Sequence, residues 1–412
     1  MSARLSEGRE PGILYVSYDG MLEPLGQSQV VAYLEKLAPG RRIHLISFEK
    51  PRDWRDEARR QAMRERLGKA GIDWHPLRYT KWPPVISAVW DIAKGTGAAI
   101  WIANRERPTW CHGRNMLCAA MLLPAAKLFR GRLIADIRGF WADERVDGDI
   151  IPSGGVVHRV LKALERMVLR SADQIITLTD ASVPRLRKDE GFGHPEAPIS
   201  VIPTCADLDR FTIQGAPPRD PFVLGYVGSV GTWYLLDDML NFFRMLHERR
   251  PDARLLVVNR GEQEFIRSRA SGLGIEPAAM EIVAAEHRDM PRQIARMSAA
   301  MALIKPAYSK IASAPTKVAE YLGCGVPCLG NAGVGDMESI LEGRGVGVCL
   351  RGFSDKEMRE AVDRFLTLAG KEGVQQRCRD VAMEKFSLEA GVDSYARIYA
   401  SLPCPFGRIT SS

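Results

Sequence analysis

The sequence has 412 residues, of which 46% are hydrophobic and 26% are charged, and its formal net charge is +7. This composition is typical of a globular protein large enough for two domains, and it excludes a disordered or fibrous chain. The longest apolar run, residues 116–126, is far shorter than the roughly 20 residues that span a bilayer. Residues 1–10 are polar and charged, so we expect no signal peptide and a cytoplasmic location.

The positive net charge favours an anionic partner, such as a phosphate group, a nucleic acid or an acidic membrane surface. The sequence contains no aromatic sheet motif and no basic recognition helix, so a nucleic-acid partner is not expected. The eight cysteines are scattered, and Cys324 and Cys328 have no further Cys or His nearby to complete a zinc site. No acidic metal cluster is visible. We therefore predict neither a metal site nor a bound cofactor.

The N-terminal half begins with a strand, a glycine-containing loop and a helix. The apolar run 13–17 predicts the strand, Gly26 a tight turn, and residues 27–38 the helix. Units of this kind can bind phosphate at the start of the helix. The alternative is a purely structural turn. The G-x-G-x-x-G spacing of a dinucleotide site is missing, so NAD is not expected.

Strands and helices continue to alternate, which predicts a doubly wound α/β fold with a parallel sheet. Ligands of such sheets bind at the carboxyl ends of the strands. His112 and Arg138 both fall at predicted strand ends, and we assign both as candidate catalytic residues. A guanidinium cannot act as a base, so Arg138 is expected to bind a phosphate or an acceptor oxygen. The alternative is a structural ion pair of Arg138 with Asp136, Asp143 or Glu144.

A second unit of the same kind follows a proline-rich linker. Residues 214–221 contain three prolines and a glycine, and the pattern of strand, glycine-containing loop and helix begins again at residue 222. Two Rossmann-like domains are therefore predicted. The boundaries that we assign are 1–205 for the N-terminal domain, 206–221 for the linker, 222–385 for the C-terminal domain and 386–402 for a terminal helix.

One stretch of the C-terminal half has the pattern of an anion site. A basic loop of small residues leads to Pro315, which opens a short helix over residues 316–323. A helix N-terminus carries unpaired N–H groups and a partial positive charge. A carboxylate one turn into this helix would accept hydrogen bonds from a ribose diol. The alternative is an ordinary loop with solvated lysines. The candidate donor ligands are Lys310, Ser313, Thr316, Lys317 and Glu320, of which Lys317 is also a candidate catalytic residue.

Four segments resemble one branch of the retaining glycosyltransferases of family four. The run SAPTKVAEYLGCGVP (313–327) resembles the donor-site signature of that family, and YVSYDGMLEPLGQSQV (15–30) resembles its opening. DIRGFWADER (136–145) resembles a loop of the family that faces the cleft, and FSLEAGVDSYARIY (386–399) resembles its terminal helix. The resemblance implies the GT-B architecture, in which two Rossmann-like domains face each other across a deep interdomain cleft. It also implies that the terminal helix packs back across both domains.

The resemblance implies roles for several positions. Glu320 matches the glutamate that binds the ribose of the nucleotide, and Gly26, Gln27 and Ser28 match the loop that approaches the pyrophosphate. The family pattern often has a second glutamate eight positions before the first, where this sequence has Ala312. The signature is therefore incomplete, and the group that contacts the donor sugar is open.

Other positions depart from the family pattern. Arg138 stands where other members have a catalytically important histidine. Many members grip the diphosphate with an arginine and a lysine at the positions of Ser229 and Tyr234. The missing charges are expected from Lys305, Lys310 and Lys317. Backbone amides near Gly228 and Gly231 would add to these charges. Gly228 and Ser229 are further candidate donor ligands.

The implied reaction transfers a sugar, with retention of configuration, from a nucleotide-diphosphate donor to an acceptor hydroxyl without a metal ion. We assign Asp19, Trp141 and Glu144 to the acceptor side of the cleft. The implied setting is cell-surface polysaccharide or glycolipid assembly, with a glycan or lipid-linked acceptor. For Trp82 two interpretations are open: contact with the acceptor or the inner membrane face, or packing on its own loop. A non-catalytic partner subunit and a sugar-nucleotide epimerase are the alternative functions.

Overall fold

The computed structural model describes residues 12–80, 82, 84–218 and 220–401. These residues form two parallel β-sheets that are covered by helices. The strands are β1 Gly12–Ser17, β2 Arg42–Glu49, β3 Ile72–Arg78, β4 Trp110–Arg114, β5 Arg132–Asp136, β6 Gln174–Thr177, β7 Ile199–Val201, β8 Val223–Val227, β9 Arg254–Val258, β10 Met280–Val283, β11 Ala299–Met301, β12 Cys328–Asn331 and β13 Gly347–Leu350.

Seventeen α-helices connect and cover these strands in the described part of the chain. They are α1 Pro24–Gly26, α2 Ala32–Leu37, α3 Pro51–Arg55, α4 Glu57–Lys69, α5 Pro84–Glu106, α6 Met116–Phe129, α7 Trp141–Asp147, α8 Val156–Ser171, α9 Ser182–Lys188, α10 Leu236–Arg249, α11 Gln263–Gly272, α12 Met290–Ile294, α13 Thr316–Gly323, α14 Met337–Leu341, α15 Asp355–Ala369, α16 Val374–Phe386 and α17 Leu388–Ser401. A π-helical turn, Gln27–Val31, joins α1 to α2.

The two sheets have doubly wound topologies. The N-terminal sheet has seven strands in the order β3-β2-β1-β4-β5-β6-β7, and the C-terminal sheet has six in the order β10-β9-β8-β11-β12-β13. All pairings between neighbouring strands are parallel. The strand order reverses between β1 and β4 and again between β8 and β11. Loops after the strands diverge at such switch points and leave a crevice. The predicted pair of Rossmann-like domains with a cleft is confirmed.

Helices α5, α6 and α8 cover one side of the N-terminal sheet, and α2, α4 and α17 cover the other. The two sides are separate apolar cores, because residues of α5 and α6 cluster together whereas those of α2, α4 and α17 form a different cluster. Helix α6 is buried over most of its surface, as its apolar composition predicts. Among the described helices, none combines the length and the apolar character that a bilayer crossing requires.

The last helix, α17, returns to the N-terminal domain. The chain enters it through two hydrogen bonds, Ala206 N–H to the Phe386 carbonyl (2.9 Å) and Leu388 N–H to the Ala206 carbonyl (3.1 Å). Tyr395 and Tyr399 then pack into the core beneath the N-terminal sheet. The residue boundaries of the domains remain a prediction, and Leu402 and residues 1–11 lie outside the described part of the chain.

Two local predictions are wrong. Strand β4 continues two residues past His112, because its last residue, Arg114, still pairs with Ser17 of β1. The segment after Arg138 contains a helix, α7, rather than only a loop. Its Ala142 N–H donates to Glu165 of α8 at 2.9 Å, so a residue distant in sequence satisfies the start of the helix.

Candidate active site between the domains

The carboxyl edges of the two sheets face each other across a cleft that holds two cavities. Cavity A has a volume of about 390 Å³ and cavity B about 920 Å³. Gln29 and Thr316 line both cavities, so the two spaces meet at these residues. Cavity A is also lined by Asp19, Arg114, Arg138, Trp141, Glu144, Trp233, Tyr234, Lys310 and Ser313. Cavity B is also lined by Gln27, Ser28, Arg210, Arg260, His287 and Glu320.

Two ion pairs organise cavity A. Arg114 at the end of β4 pairs with Asp19 in the loop after β1. Lys310 pairs with Glu144 of α7, and its ammonium group lies 3.5 Å from the centre of the Trp233 ring. Each carboxylate that we assigned to the acceptor side therefore already has a cationic partner.

Arg138 lines cavity A and also belongs to a buried polar network. Its guanidinium lies 3.4 Å from Asp136, which is 1% exposed. Burial alone would raise the pKa of Asp136, but Arg138 holds that pKa well below its usual range. Burial would likewise lower the pKa of Arg138, and Asp136 raises it instead. Both groups therefore stay charged at neutral pH, and Arg138 carries both predicted features, an ion pair and a place in the cleft.

The predicted place of His112 at the cleft is wrong. Its ring is completely buried beneath the sheet, where Nδ1 lies 2.6 Å from Tyr399 Oη and Nε2 lies 3.4 Å from Asp136. Burial lowers the pKa of His112, so the imidazole is neutral at neutral pH. A neutral ring that donates from Nε2 and accepts at Nδ1 satisfies both contacts. The residue that reaches the cleft from this strand is Arg114, which sequence reasoning missed by two positions.

Helix α13 has its predicted bounds, and its residues border both cavities. Thr316 stands at its first turn, and Glu320 is 8% exposed with its carboxylate 3.7 Å from His287 Nε2. Glu320 lines cavity B together with Gln27 and Ser28 of the opposite domain. The structure therefore brings together the helix and the glycine-loop residues that the sequence assigned to one ligand.

Lys317 is buried behind this helix rather than exposed in either cavity. Its ammonium donates to Tyr226 Oη at 3.1 Å and lies 3.5 Å from the centre of the Tyr234 ring. Burial lowers the pKa of Lys317 to about 7, although Glu320 opposes this shift. Tyr234 stands where family members carry a lysine. The cation of Lys317 lies against the ring that replaces that lysine.

Gly228 has a different role from the predicted one. Its N–H donates to the Val258 carbonyl at 3.0 Å, so this amide is already used within the sheet edge. Its φ of +127° favours glycine. A Cβ at this position would lie 3.0 Å from Lys317 Nζ, so the missing side chain lets the ammonium approach. The Ser229 carbonyl accepts a hydrogen bond from Tyr226 Oη.

The glycine loop also differs in detail. The helical run begins at Pro24, and Gln27 N–H donates to the Glu23 carbonyl at 3.0 Å. The amide of Gln27 is therefore not free, although its side chain lines cavity B. A Cβ at Gly26 would lie 2.0 Å from the Gly20 carbonyl oxygen, so this position requires glycine for packing. Ser28 hydroxyl lies 3.5 Å from the Leu25 carbonyl.

The loop before α13 rests on the N-terminal domain. Ser309 N–H donates to Asp147 at 2.8 Å, and Thr179 Oγ1 donates to the Ile311 carbonyl at 2.7 Å. Ala312 is fully buried in an apolar cluster of the N-terminal domain that includes Phe140. The position of the missing family glutamate is therefore an apolar contact between the domains. Lys305 reaches the Asp147 carbonyl at 3.1 Å, outside both cavities.

The sequence matches two family models that describe the two halves of such a cleft. Residues 26–210 match Glycosyltransferase Family 4, and residues 209–382 match Glycosyl transferases group 1. The chain belongs to the family-four glycosyltransferases. No curated protein sequence matches this glycosyltransferase.

Solved structures share the fold of this glycosyltransferase at low sequence identity. The sucrose-phosphate synthase of Thermosynechococcus elongatus has a TM-score of 0.71 and 14% identity, covering 95% of this chain and 98% of its own. A glycosyltransferase of Rickettsia africae has a TM-score of 0.68 and 12% identity, covering 95% and 98%. HepE of Anabaena, solved with UDP and glucose, has a TM-score of 0.64 and 14% identity, covering 95% and 99%.

The polar groups that line this glycosyltransferase cleft include cations, carboxylates and hydroxyls. Within residues 12–80, 82, 84–218 and 220–401, no group of three or more His, Cys, Asp or Glu is arranged to hold a metal ion. The seven described cysteines are free and buried. Arg138 and Lys310 line cavity A, whereas Lys317 lines neither cavity.

Proposed function

We propose that the protein transfers a sugar, with retention of anomeric configuration, from a nucleoside-diphosphate sugar to an acceptor hydroxyl. The observation that carries this proposal is the position of Glu320. Its carboxylate is nearly buried, yet it lines cavity B opposite Gln27 and Ser28. A buried carboxylate at a cavity wall suits a ligand with paired hydroxyls, such as ribose.

The nucleoside occupies cavity B and the sugar occupies cavity A. The diphosphate then lies at the junction, beside Gln29 and Thr316, where the N-terminal end of α13 carries a partial positive charge. Lys317 adds a cation from behind that helix. The complex of Anabaena HepE with UDP and glucose supports this class of donor by analogy of fold.

Bond cleavage leaves charge on the departing diphosphate, and the cations near the junction stabilise that charge without a metal ion. Arg138 approaches from the opposite wall, held in position by Asp136. Both acceptor-side carboxylates, Asp19 and Glu144, are engaged in ion pairs. Neither is a free nucleophile for a covalent intermediate. Retention without a covalent intermediate then requires the acceptor to attack from the same face from which the diphosphate leaves.

The acceptor enters cavity A between aromatic walls. Trp141 and Trp233 both line this space, and indole faces pack well against sugar rings. A glycan or a lipid-linked saccharide suits this entrance. The reaction would then serve the assembly of a cell-surface polysaccharide or glycolipid, with hexoses as the class of sugar moved.

The purified chain tests the proposal when it is incubated with UDP-, GDP-, ADP- and TDP-hexoses. Release of the free diphosphate, slow without an acceptor and faster with a saccharide acceptor, is the expected result. Nucleotide binding without any release would favour a non-catalytic subunit. Interconversion of two sugar nucleotides would favour an epimerase. The anomeric configuration of the product, read by NMR coupling constants, decides between retention and inversion.

A further inference from the structure

The helical layer on one side of the N-terminal domain exposes an unusual surface. Helices α5, α6 and α8 lie side by side there, because α6 packs in one apolar cluster with α5 and in another with α8. We call the solvent-exposed side of this layer the outer face. Its largest exposed apolar side chains are Val89, Trp90, Trp101, Leu128, Val160 and Met167.

Exposed tryptophans are spread along the α5 edge of the outer face. Trp90 and Trp101 of α5 are 58% and 59% exposed, and Trp82 just before the helix is 77% exposed. The alternative in which Trp82 packs on its own loop is therefore wrong. Indole rings that have no apolar cover in water are well placed at the boundary between lipid headgroups and acyl chains.

The outer face has no exposed acidic side chain. The only acidic residues of the three helices are Asp91, Glu106 and Glu165. All three carboxylates are turned inward, with side-chain exposures of 0%, 10% and 0%. They pair with Lys94, Arg42 and Lys162, respectively.

Basic residues supply the charge of the outer face instead. Arg105 at the end of α5, Lys127 of α6, and Arg159 and Arg166 of α8 are all exposed. Helix α4 on the opposite side of the sheet differs in both respects. Its exposed surface carries acidic residues, and its larger apolar side chains are buried.

We propose that the outer face of α5, α6 and α8 docks on the surface of an anionic phospholipid bilayer. Tryptophans and aliphatic side chains enter the headgroup region, while the surrounding lysines and arginines bind lipid phosphates. The absence of exposed carboxylates removes the repulsion that an anionic surface would otherwise cause. The inference rests on the proposed transfer to a lipid-linked acceptor and names the surface that meets the membrane.

The outer face also reaches the entrance of the cleft. Helix α7 lines cavity A, and the chain after it exposes the apolar side chains of Ile150, Val156 and Val157 together with the carboxylate of Asp149. A docked protein therefore places apolar side chains in the bilayer beside the wall formed by Trp141 and Glu144. The saccharide of a lipid-linked acceptor could enter cavity A without leaving the membrane surface.

Co-sedimentation of the full chain with phospholipid vesicles tests the inference. We expect binding to vesicles that contain phosphatidylglycerol, weaker binding at high salt, and no binding to phosphatidylcholine alone. Lys127→Glu combined with Arg159→Glu should weaken binding by more than about tenfold. Trp90→Ser combined with Trp101→Ser should also weaken it. Matched controls in the C-terminal domain, Lys356→Glu and Phe265→Ser, should bind as the wild type does.

Calorimetry of nucleotide binding accompanies each variant, because it separates docking from the donor site. Normal nucleotide binding with lost vesicle binding supports the inference. Equal vesicle binding by wild type and by both double variants would overturn it, as would equal binding to neutral vesicles. Absence of wild-type binding to anionic vesicles would overturn the docking inference alone. Absence of nucleotide binding in the wild type would count against the proposed donor site instead.

Discussion

Tyr395 Oη donates a hydrogen bond to Asp136 Oδ2 over 2.8 Å, and this bond joins the last helix of the chain to the strand that precedes Arg138. The same carboxylate contacts His112 and Arg138. The C-terminal helix therefore does more than cover the N-terminal core. It supplies a hydroxyl to the carboxylate that holds the cleft arginine in position.

Replacement of Tyr395 by Phe tests this connection. The variant keeps the ring but removes a donor from a buried carboxylate, so the free energy of unfolding should fall by about 2 kcal/mol. We also expect a lower kcat with little change in nucleotide affinity. Chemical denaturation and steady-state kinetics measure both effects. Ser394→Ala, a half-buried change on the same helix, is the control, and equal behaviour of the two variants would contradict the connection.

Arg138 itself should affect the chemical step more than donor binding. Arg138→Met removes a cation from cavity A but leaves Glu320 and cavity B unchanged. Sugar transfer should fall about 100-fold or more, while the affinity for the nucleoside diphosphate stays within about twofold. Arg138→Lys should recover only part of the rate, because an ammonium lacks the two-pronged geometry. A wild-type rate for Arg138→Met would assign the residue to structure alone.

The lowered pKa of Lys317 predicts that donor binding depends on pH. Its pKa is lowered to about 7 from its ordinary 10.5 by burial. Above pH 7 the free protein therefore holds a neutral amine, and a bound diphosphate favours its protonation. Binding should take up nearly one proton at about pH 8 and should weaken as the pH rises. Calorimetry in two buffers of different ionisation enthalpy counts the protons.

Lys317→Met provides the comparison, since its binding should release or take up no proton at this pH. The free energy of unfolding depends on pH in the opposite direction to donor binding. Between pH 7 and 10.5 the unfolded chain carries a proton on Lys317 that the native protein lacks, so stability should rise with pH in that window. Identical proton uptake by the wild type and the variant would show that another group titrates.

Ala312→Glu should not restore the family signature. The new carboxylate would lie in the apolar contact between the loop and the N-terminal domain, in the cluster that includes Phe140. We expect the free energy of unfolding to fall by about 3 kcal/mol or more. Ala314→Glu, at a half-buried wall of cavity A, should cost much less. Thermal unfolding measures both, and a stable variant with faster transfer would refute this interpretation.

The sequence predicts the strands and helices well where the pattern is local. Helix α13 has the bounds that Pro315 and the following glycines indicate, and the alternation of elements predicts the two parallel sheets. The end of β4 could not be predicted, because it depends on pairing with β1 and β5. A shift of two residues exchanges His112 for Arg114 at the cleft.

Partners that are distant in sequence explain the other differences. Tyr395 meets Asp136 only because α17 crosses back to the first domain, and no local pattern indicates that contact. The amide of Gly228 was expected at the diphosphate, but the Val258 carbonyl of a neighbouring strand accepts it. The role of Lys317 as a donor ligand stays a prediction, whereas its burial against Tyr226 and Tyr234 could not be predicted without the fold.

The central claim is that Glu320 binds the ribose of a nucleoside diphosphate in cavity B. Calorimetric titration of UDP, GDP, ADP and TDP into wild type, Glu320→Ala and Glu320→Gln tests it most directly. Glu360→Ala, an exposed change on α15, is the matched control. The account predicts that one diphosphate binds wild type and the control equally, and binds both Glu320 variants at least about tenfold more weakly. Equal affinity for wild type and Glu320→Ala, or no binding of any nucleotide to wild type, would contradict it.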